Sequence, residues 1–346
     1  MRVCRIYGAE DLRVESVPEP QPGPGEVLLK LGAGGICGSD LHYFQHGRIG
    51  SFVIREPLIP GHEISGTVAK TGAGVTRVKE GDTVAINPSH ACGVCRACRI
   101  GRENLCASMR FLGSASVFPH VQGMFREYFL MGERQCYPIT SAVTTSELAF
   151  AEPLSVALHA VNRAGNILGK SVLVTGGGPI GCLIVMAARL AGAANIVVTD
   201  VVERPLATAK TVGADRCVRA DQIPGGPAAV AEAIGEIDTA LEAAGNPAAV
   251  ATCLAAVSRG GRIVQVGTLP GESLQIPANQ VMVREIDYVG TFRFGVEFEW
   301  AVRYLTDRRV DVQPLLSAQY PLQEAEAAFR LAGDKSRSIK VQVVAA

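Results

Sequence analysis

Between residues 171 and 291 the chain alternates between two kinds of apolar segment, and this restricts its fold more than any other feature of the sequence. SVLVT (171–175), NIVVTD (195–200), CVRA (217–220), DTALEAAG (238–245), RIVQVG (262–267) and DYVGT (287–291) read as short strands. GPIGCLIVMAARLAGA (178–193), ERPLATAKTVG (203–213), PAAVAEAIG (227–235) and NPAAVATCLAAVS (246–258) read as helices between the first of them. Regular alternation of this kind implies a parallel sheet covered by helices on both faces. Six strands suit an α/β, doubly wound, Rossmann-type nucleotide-binding fold.

Within this run, VTGGGPIG sets Gly176, Gly178 and Gly181 in G-x-G-x-x-G spacing, after a strand and at the start of a helix. The first glycine permits a tight turn, the second lets a pyrophosphate approach the backbone, and the third lets helix and strand pack closely. Pro179 and Ile180 complete the loop. Phosphates are expected at the helix N-terminus, where free N–H groups and the dipole favour anions. Asp200 ends the next strand, 19 residues after Gly181. A carboxylate there hydrogen-bonds the adenosine ribose and repels a 2′-phosphate, so NAD is expected over NADP. Arg204, four residues on, softens that preference and keeps NADP possible.

The rest of the chain has a different character. Residues 1–150 are rich in Gly and Pro, with strand-like runs LRVESV (12–17), EVLLKL (26–31), ISGTVAKT (64–71) and DTVAIN (82–87), and helices are hard to find among them. After 291 come helical stretches EFEWAVRYLTDRR (297–309) and LQEAEAAFRLAG (322–333), and a strand, IKVQVV (339–344). With 346 residues, two domains are expected. Lys+Arg and Asp+Glu balance at 33 each, which gives no electrostatic reason to expect nucleic acid or an anionic membrane as partner. The N-terminus has no apolar h-region, and the greasiest stretch, IGCLIVMAA (180–188), is short of the roughly 20 residues of a membrane span. A cytoplasmic protein is expected. Its thiols would stay reduced, so clustered cysteines read as metal ligands.

Two sets of metal-ligating residues stand out. Cys92, Cys95, Cys98 and Cys106 have the spacing C-x2-C-x2-C-x7-C. Four thiolates can close a tetrahedron around zinc with no open position, which is a structural site. The rival is an iron–sulfur cluster, but the bacterial ferredoxin run closes with a gap of three and a following proline. Elsewhere, ICGSDLH (36–42) and PGHEISG (60–66) offer Cys37, His62 and Glu63, an S, N, O set that would leave a fourth position open. Beside a dinucleotide domain the set gains meaning, because hydride transfer from an alcohol needs a Lewis acid. Cys4, Cys136, Cys182, Cys217 and Cys253 are scattered singly and read as packing. His46, His90, His120 and His159 have no motif partner, and Trp300 reads as core.

With these motifs in hand, the chain resembles the zinc-dependent medium-chain dehydrogenases over essentially its full length. Glu63 after His62 and the stretch FAEPLSVALHA (150–160) resemble the sorbitol dehydrogenase branch. GGICGSDLHYFQHGRIGSF, AINPSHACGVC, MRFLGSASVFPHVQGMF and TFRFGVEF resemble a sugar-acid dehydrogenase of that branch more closely still. The resemblance implies a GroES-like catalytic domain from 1–150 and 292–346, with the NAD-binding domain at 151–291. It implies two zinc ions per chain, the catalytic one at Cys37, His62 and Glu63. Glu152 would hydrogen-bond the zinc water or take a turn as ligand. Ser39 and His42 match the family's proton relay. Phe292 and Arg293 match residues lining the nicotinamide and substrate pocket, with coenzyme contacts also implied at Val266, Gly267, Thr268 and Thr291. Arg293 is a candidate for sensing a substrate carboxylate. It could equally order the coenzyme or pair with Glu297 or Glu299.

The expected activity is oxidation of a secondary hydroxyl of a sugar acid to a ketone. A polyol dehydrogenase is the alternative, and a redox-inactive, zinc-stabilised NAD-binding protein is a reading of another class. A homodimer or homotetramer is implied.

Overall fold

The computed structural model describes residues 1–269, 271 and 275–345. The chain divides into two compact units. The first comprises Met1–Pro153, Gly295–Asp334 and the strand from Lys340 on; the second comprises Leu154–Phe294 and Lys335–Ile339. Each main crossing lies three residues beyond the boundary expected from sequence, and 335–339 group with the second unit rather than the first. The first crossing falls inside the helix Ala151–Ala164, where nothing in the sequence punctuates the chain.

The first unit is built on a seven-stranded sheet. Its path runs Cys136–Ile139, Thr83–Ile86, Glu63–Thr71, Glu26–Gly35, Lys340–Val344, Leu316–Pro321, with Tyr128–Gly132 also paired to Glu26–Gly35. All pairs are antiparallel except the last on the path. The core gathers Val27, Leu29 and Leu31 from the central strand with Ile64, Val84, Phe125 and Phe129.

Helices were not legible in this region, yet Gly38–His46 is one. It buries Asp40, Tyr43 and Phe44, which lie at i, i+3 and i+4 on one face. Gly47, at φ +65°, closes it by donating its N–H to the Tyr43 carbonyl. Nine residues opening on Gly-Ser give too short a period to recognise. Trp300, on Glu297–Thr306, is half-buried rather than core.

The second unit is a six-stranded parallel sheet in the order Arg216–Arg219, Asn195–Asp200, Ser171–Thr175, Ile237–Glu242, Val257–Gln265, Asp287–Gly290. Val172–Val174 and Ile196–Val198 are fully buried, as strands covered on both faces must be. The order reverses between Ser171–Thr175 and Ile237–Glu242, so a crevice opens at the carboxyl ends of those strands. The helix before the last strand, Ala278–Val283, was not anticipated. Cys4, Cys136, Cys182 and Cys253 are fully buried as read, and no helix among the described residues is long and apolar enough to cross a membrane.

Candidate active site

Cys37 follows the central strand Glu26–Gly35 and caps the helix Gly38–His46; His62 ends a turn, and Glu63 opens the next strand. The turn exists because Gly61 sits at φ +94°, and a Cβ there would lie 2.5 Å from the Phe125 ring. Ligand atoms of Cys37, His62 and Glu63 all fall within 4.8 Å of one another. Tetrahedral ligands on zinc at ordinary bond lengths lie about 3–4 Å apart, so small side-chain movements suffice to hold the ion.

Asp40 organises this set, and the sequence reading missed it. Its carboxylate is fully buried and accepts the Cys37 N–H at 3.0 Å and the Gly61 N–H at 3.1 Å, tying the two ligand loops together. Its Oδ1 lies 3.8 Å from His62 Nδ1, a buried nitrogen with no hydrogen-bond partner. A carboxylate beside one imidazole nitrogen is the usual device for orienting a ring whose other nitrogen binds metal. The signal was there: an acid three residues after Cys37 is the N3 position of a capping box.

Lys340 was missed as well. It is 3% exposed, and its ammonium donates to both Glu63 oxygens, at 2.8 and 2.7 Å, and to the Ile36 carbonyl at 3.1 Å. Glu63 and Lys340 open the two strands that flank Glu26–Gly35. They meet across Gly35, where a Cβ would lie 2.0 Å from Glu63 Oε2. Burial would lower the Lys340 pKa, but Glu63, with Cys37 and Glu152, outweighs it and the net shift is upward. Lys340→Met should therefore cost about 3–5 kcal/mol by stranding a buried carboxylate, read from urea titration. Lys340→Met with Glu63→Gln should recover most of the loss. A single variant as stable as wild type would show that the pair carries no weight.

Burial, then the Glu63 carboxylate, pushes the Cys37 thiol up to about 12, while a hydrogen bond with Ser39 works the other way. Glu152, at the start of Ala151–Ala164, is buried and lies outside the Cys37–His62–Glu63 set. Burial raises its pKa to about 8; His62 opposes this and Glu63 adds to it. Ser39 is half-buried, and His42 is exposed on the same helix.

The four other cysteines also converge. The strands Ser89–His90 and Arg110–Phe111 pair and close the base of the 91–109 lobe. Within it the sulfurs of Cys92, Cys95, Cys98 and Cys106 lie within 4.8 Å of one another. Cys95 Sγ lies 3.5 Å from Cys98 Sγ, far beyond the roughly 2.05 Å of a disulfide. The Cys92 N–H donates to Cys106 Sγ at 3.2 Å. Backbone N–H groups of Cys98 and Ala107 pull Cys95 down to about 6. Convergent thiols with backbone donors fit a tetrahedral zinc.

In the second unit, Gly176 sits at φ +90° with Ala244 N 2.8 Å from where a Cβ would be. A Cβ on Gly181 would lie 1.8 Å from the Gly176 carbonyl oxygen. Gly178 faces open space and caps the helix Pro179–Leu190, with Pro179 at its first turn and Ile180 next. Two glycines demanded by packing and one left open form a cradle that fits a dinucleotide pyrophosphate.

Asp200 accepts N–H bonds from Gly177 at 2.7 Å, Val201 at 2.7 Å and Val202 at 2.9 Å, so its carboxylate is fixed beside the loop. Arg204 is exposed. Glu242, unnoticed in the sequence, is buried at the neighbouring strand end. It accepts from Ala244 N and Gly245 N, both at 2.9 Å, and its carbonyl accepts from Val266 N and Gly267 N at 2.8 Å. A Cβ on Gly267 would lie 2.3 Å from Gly245 N, so these loops pack backbone to backbone. Thr268 is exposed, and Thr291 Oγ1 is buried without a partner. Phe292 is exposed beside Arg293, whose backbone is left-handed at φ +55° and whose guanidinium lies 4.8 Å from the Phe292 ring.

Residues 23–141 match the alcohol dehydrogenase GroES-like domain, and residues 179–307 match the zinc-binding dehydrogenase domain. The chain is 44% identical to L-idonate 5-dehydrogenase (NAD(P)(+)) of Escherichia coli K12 over 92% of its length and 91% of that protein's. It is 41% identical to sorbitol dehydrogenase of Gallus gallus over 94% of its length and 91% of that protein's. The crystal structure of L-idonate 5-dehydrogenase from Escherichia coli K-12 superposes with a TM-score of 0.93, covering 99% of this chain and 97% of that one at 41% identity. The chain belongs to the zinc-dependent medium-chain dehydrogenases, with a GroES-like domain and a Rossmann-type domain.

Proposed function

We propose that the chain oxidises a secondary hydroxyl of a sugar acid to a ketone with NAD, and that its substrate is L-idonate, giving 5-dehydro-D-gluconate. The observation that carries this is the convergence of half-buried Cys37 with buried His62 and Glu63, with Glu152 beside them, in a chain 44% identical to a dehydrogenase of that substrate. Zinc held by Cys37, His62 and Glu63 would supply Lewis acidity to the hydroxyl, and a nicotinamide coenzyme on the glycine loop would supply the hydride acceptor. The chain's own residues do the rest. Asp40 orients His62, Lys340 holds Glu63, and the hydroxyl proton passes through Ser39 to His42 and out to water. A second zinc at Cys92, Cys95, Cys98 and Cys106 serves structure alone.

The pyrophosphate would lie on Gly176, Gly178, Pro179, Ile180 and Gly181, and the ribose against Asp200. Val266, Gly267, Thr268, Thr291 and Phe292 would complete the coenzyme bed. The carboxylate of Asp200 supports NAD over NADP, softened by Arg204. Work in the cytoplasm as a homodimer or homotetramer is part of the same reading, and the reduced thiols it requires fit that compartment.

Arg293 is assigned to the substrate carboxylate, since a guanidinium can hold one by two hydrogen bonds. NADH and NADPH production across a panel of sugar acids and polyols tests the whole reading. L-idonate with NAD should give the highest kcat/KM. Arg293→Leu should lose about 10–150-fold on idonate, the worth of one charge-assisted hydrogen bond, and less on sorbitol. Equal losses would place Arg293 with the coenzyme. Preference for neutral polyols, favoured by the 41% identity to a sorbitol dehydrogenase, would replace the substrate. No reduction of either coenzyme would leave a redox-inactive binding protein.

A further inference from the structure

We propose that His42 and His46 form a further metal site, a two-imidazole chelate for a borderline divalent cation such as Zn²⁺ or Ni²⁺, and that filling it blocks the outer end of the proton path. The binding half stands on geometry alone; the inhibitory half rests on the reading of His42 given above.

HYFQH places the two histidines at i and i+4, on one face of Gly38–His46. Their ring centroids lie 5.8 Å apart, with the planes tilted by 39°. Two imidazoles sharing a tetrahedral ion at ordinary zinc–nitrogen lengths have centroids about 5 Å apart. Less than about 1 Å separates the two arrangements, within reach of small torsional changes in exposed side chains. Both residues are exposed, so water can complete the coordination shell.

The backbone beneath the pair is held firmly. Phe44, on the opposite side of the helix, and Tyr43, on its flank, are each 2% exposed, and Gly47 seals its end. A pair on a fixed backbone pays little to organise. His46 lies in the last turn, where the helix dipole favours a cation.

The neighbouring cations do not oppose binding. Arg330 stacks on the other face of this segment, 5.6 Å from the Phe44 ring, and is paired with Glu326 and Glu10. Arg48 turns its Nε to the Gly50 carbonyl. Imidazole pairs select Zn²⁺, Ni²⁺ and Cu²⁺ over Mg²⁺ and Ca²⁺, which prefer oxygen. A His42 nitrogen engaged by such a cation can no longer accept and pass on a proton.

The test titrates the zinc-loaded protein with Ni²⁺ by calorimetry and follows NADH production at the same concentrations. Wild type should take up one Ni²⁺ per chain beyond its resident zinc and lose turnover in step with occupancy, while Mg²⁺ does neither. His46→Gln should keep wild-type turnover and thermal midpoint. Losing one arm of a chelate, it should bind Ni²⁺ about 10–100-fold more weakly, with inhibition shifted by the same factor. Wild type that binds no added Ni²⁺, or His46→Gln that binds it equally well, overturns the site. Binding lost in His46→Gln with inhibition unchanged overturns the block of the proton path. If the protein reduces no coenzyme on any substrate, the calorimetric arm still decides the site, so its failure is separable from that of the proposed activity.

Discussion

Cys98→Ser should leave a protein that melts far below wild type and is recovered partly as aggregate. Cys98 is one of four sulfurs converging in the 91–109 lobe, where Asn104 and Met109 are the only other buried residues and most of the rest are exposed. Val94, Ile100 and Leu105 in this lobe are exposed, so no apolar core can take over if the ion is lost. The helix inside it, Arg96–Arg99, is a single turn and has no stability of its own. Metal binding at comparable sites contributes about 10–16 kcal/mol in zinc-finger peptides, and most of that would go toward ordering this segment. Metal analysis should return close to two zincs per chain in wild type and about one in the variant that remains soluble. Iron in place of zinc, or an unchanged midpoint in Cys98→Ser, would refute a structural zinc.

The second unit was the most legible part of the chain. The inner strands Ser171–Thr175 and Asn195–Asp200 are short and mostly apolar, and Gly176 and Gly181 of the loop answer to local needs, such as the 1.8 Å approach that excludes a side chain at Gly181. Such demands are written into neighbouring residues. Lys340 is the opposite case. In IKVQVV it occupies a polar position of an alternating strand and reads as solvent-facing. Only the sheet order, which sets Gly35 between it and a carboxylate 277 residues away, turns it inward.

Asp40 and Glu242 were missed for a related reason. Each is a single buried acid whose carboxylate gathers backbone N–H groups, Asp40 those of Cys37 and Gly61 and Glu242 those of Ala244 and Gly245, and composition does not record that. The helix Gly38–His46 was hidden because three buried positions are too few to show a period. The ligand pair of His62 and Glu63 with the distant Cys37 was weak as bare residues, and became specific only through resemblance to a family.

Cys37→Ser and His62→Ala should each abolish turnover and leave the fold and NAD binding nearly normal. The separation follows from where the parts lie: both residues belong to the first unit, and the glycine loop with Asp200 belongs to the second. Neither substitution touches the Glu63–Lys340 pair, and in Cys37→Ser the backbone N–H that Asp40 accepts is still present. What is lost is one of three donors to an ion expected to supply several kcal/mol of transition-state stabilisation, so kcat should fall by about 10³-fold or more. NADH binding, followed by fluorescence, should stay within about threefold of wild type, a shift of under 1 kcal/mol. Zinc content should drop by about one per chain, and thermal stability should fall far less than in Cys98→Ser. A variant that kept more than about a tenth of wild-type kcat would end the Lewis-acid reading, because a tenfold loss is only about 1.4 kcal/mol, less than such an ion supplies. Loss of NADH binding together with turnover would show instead that the substitution had damaged the fold.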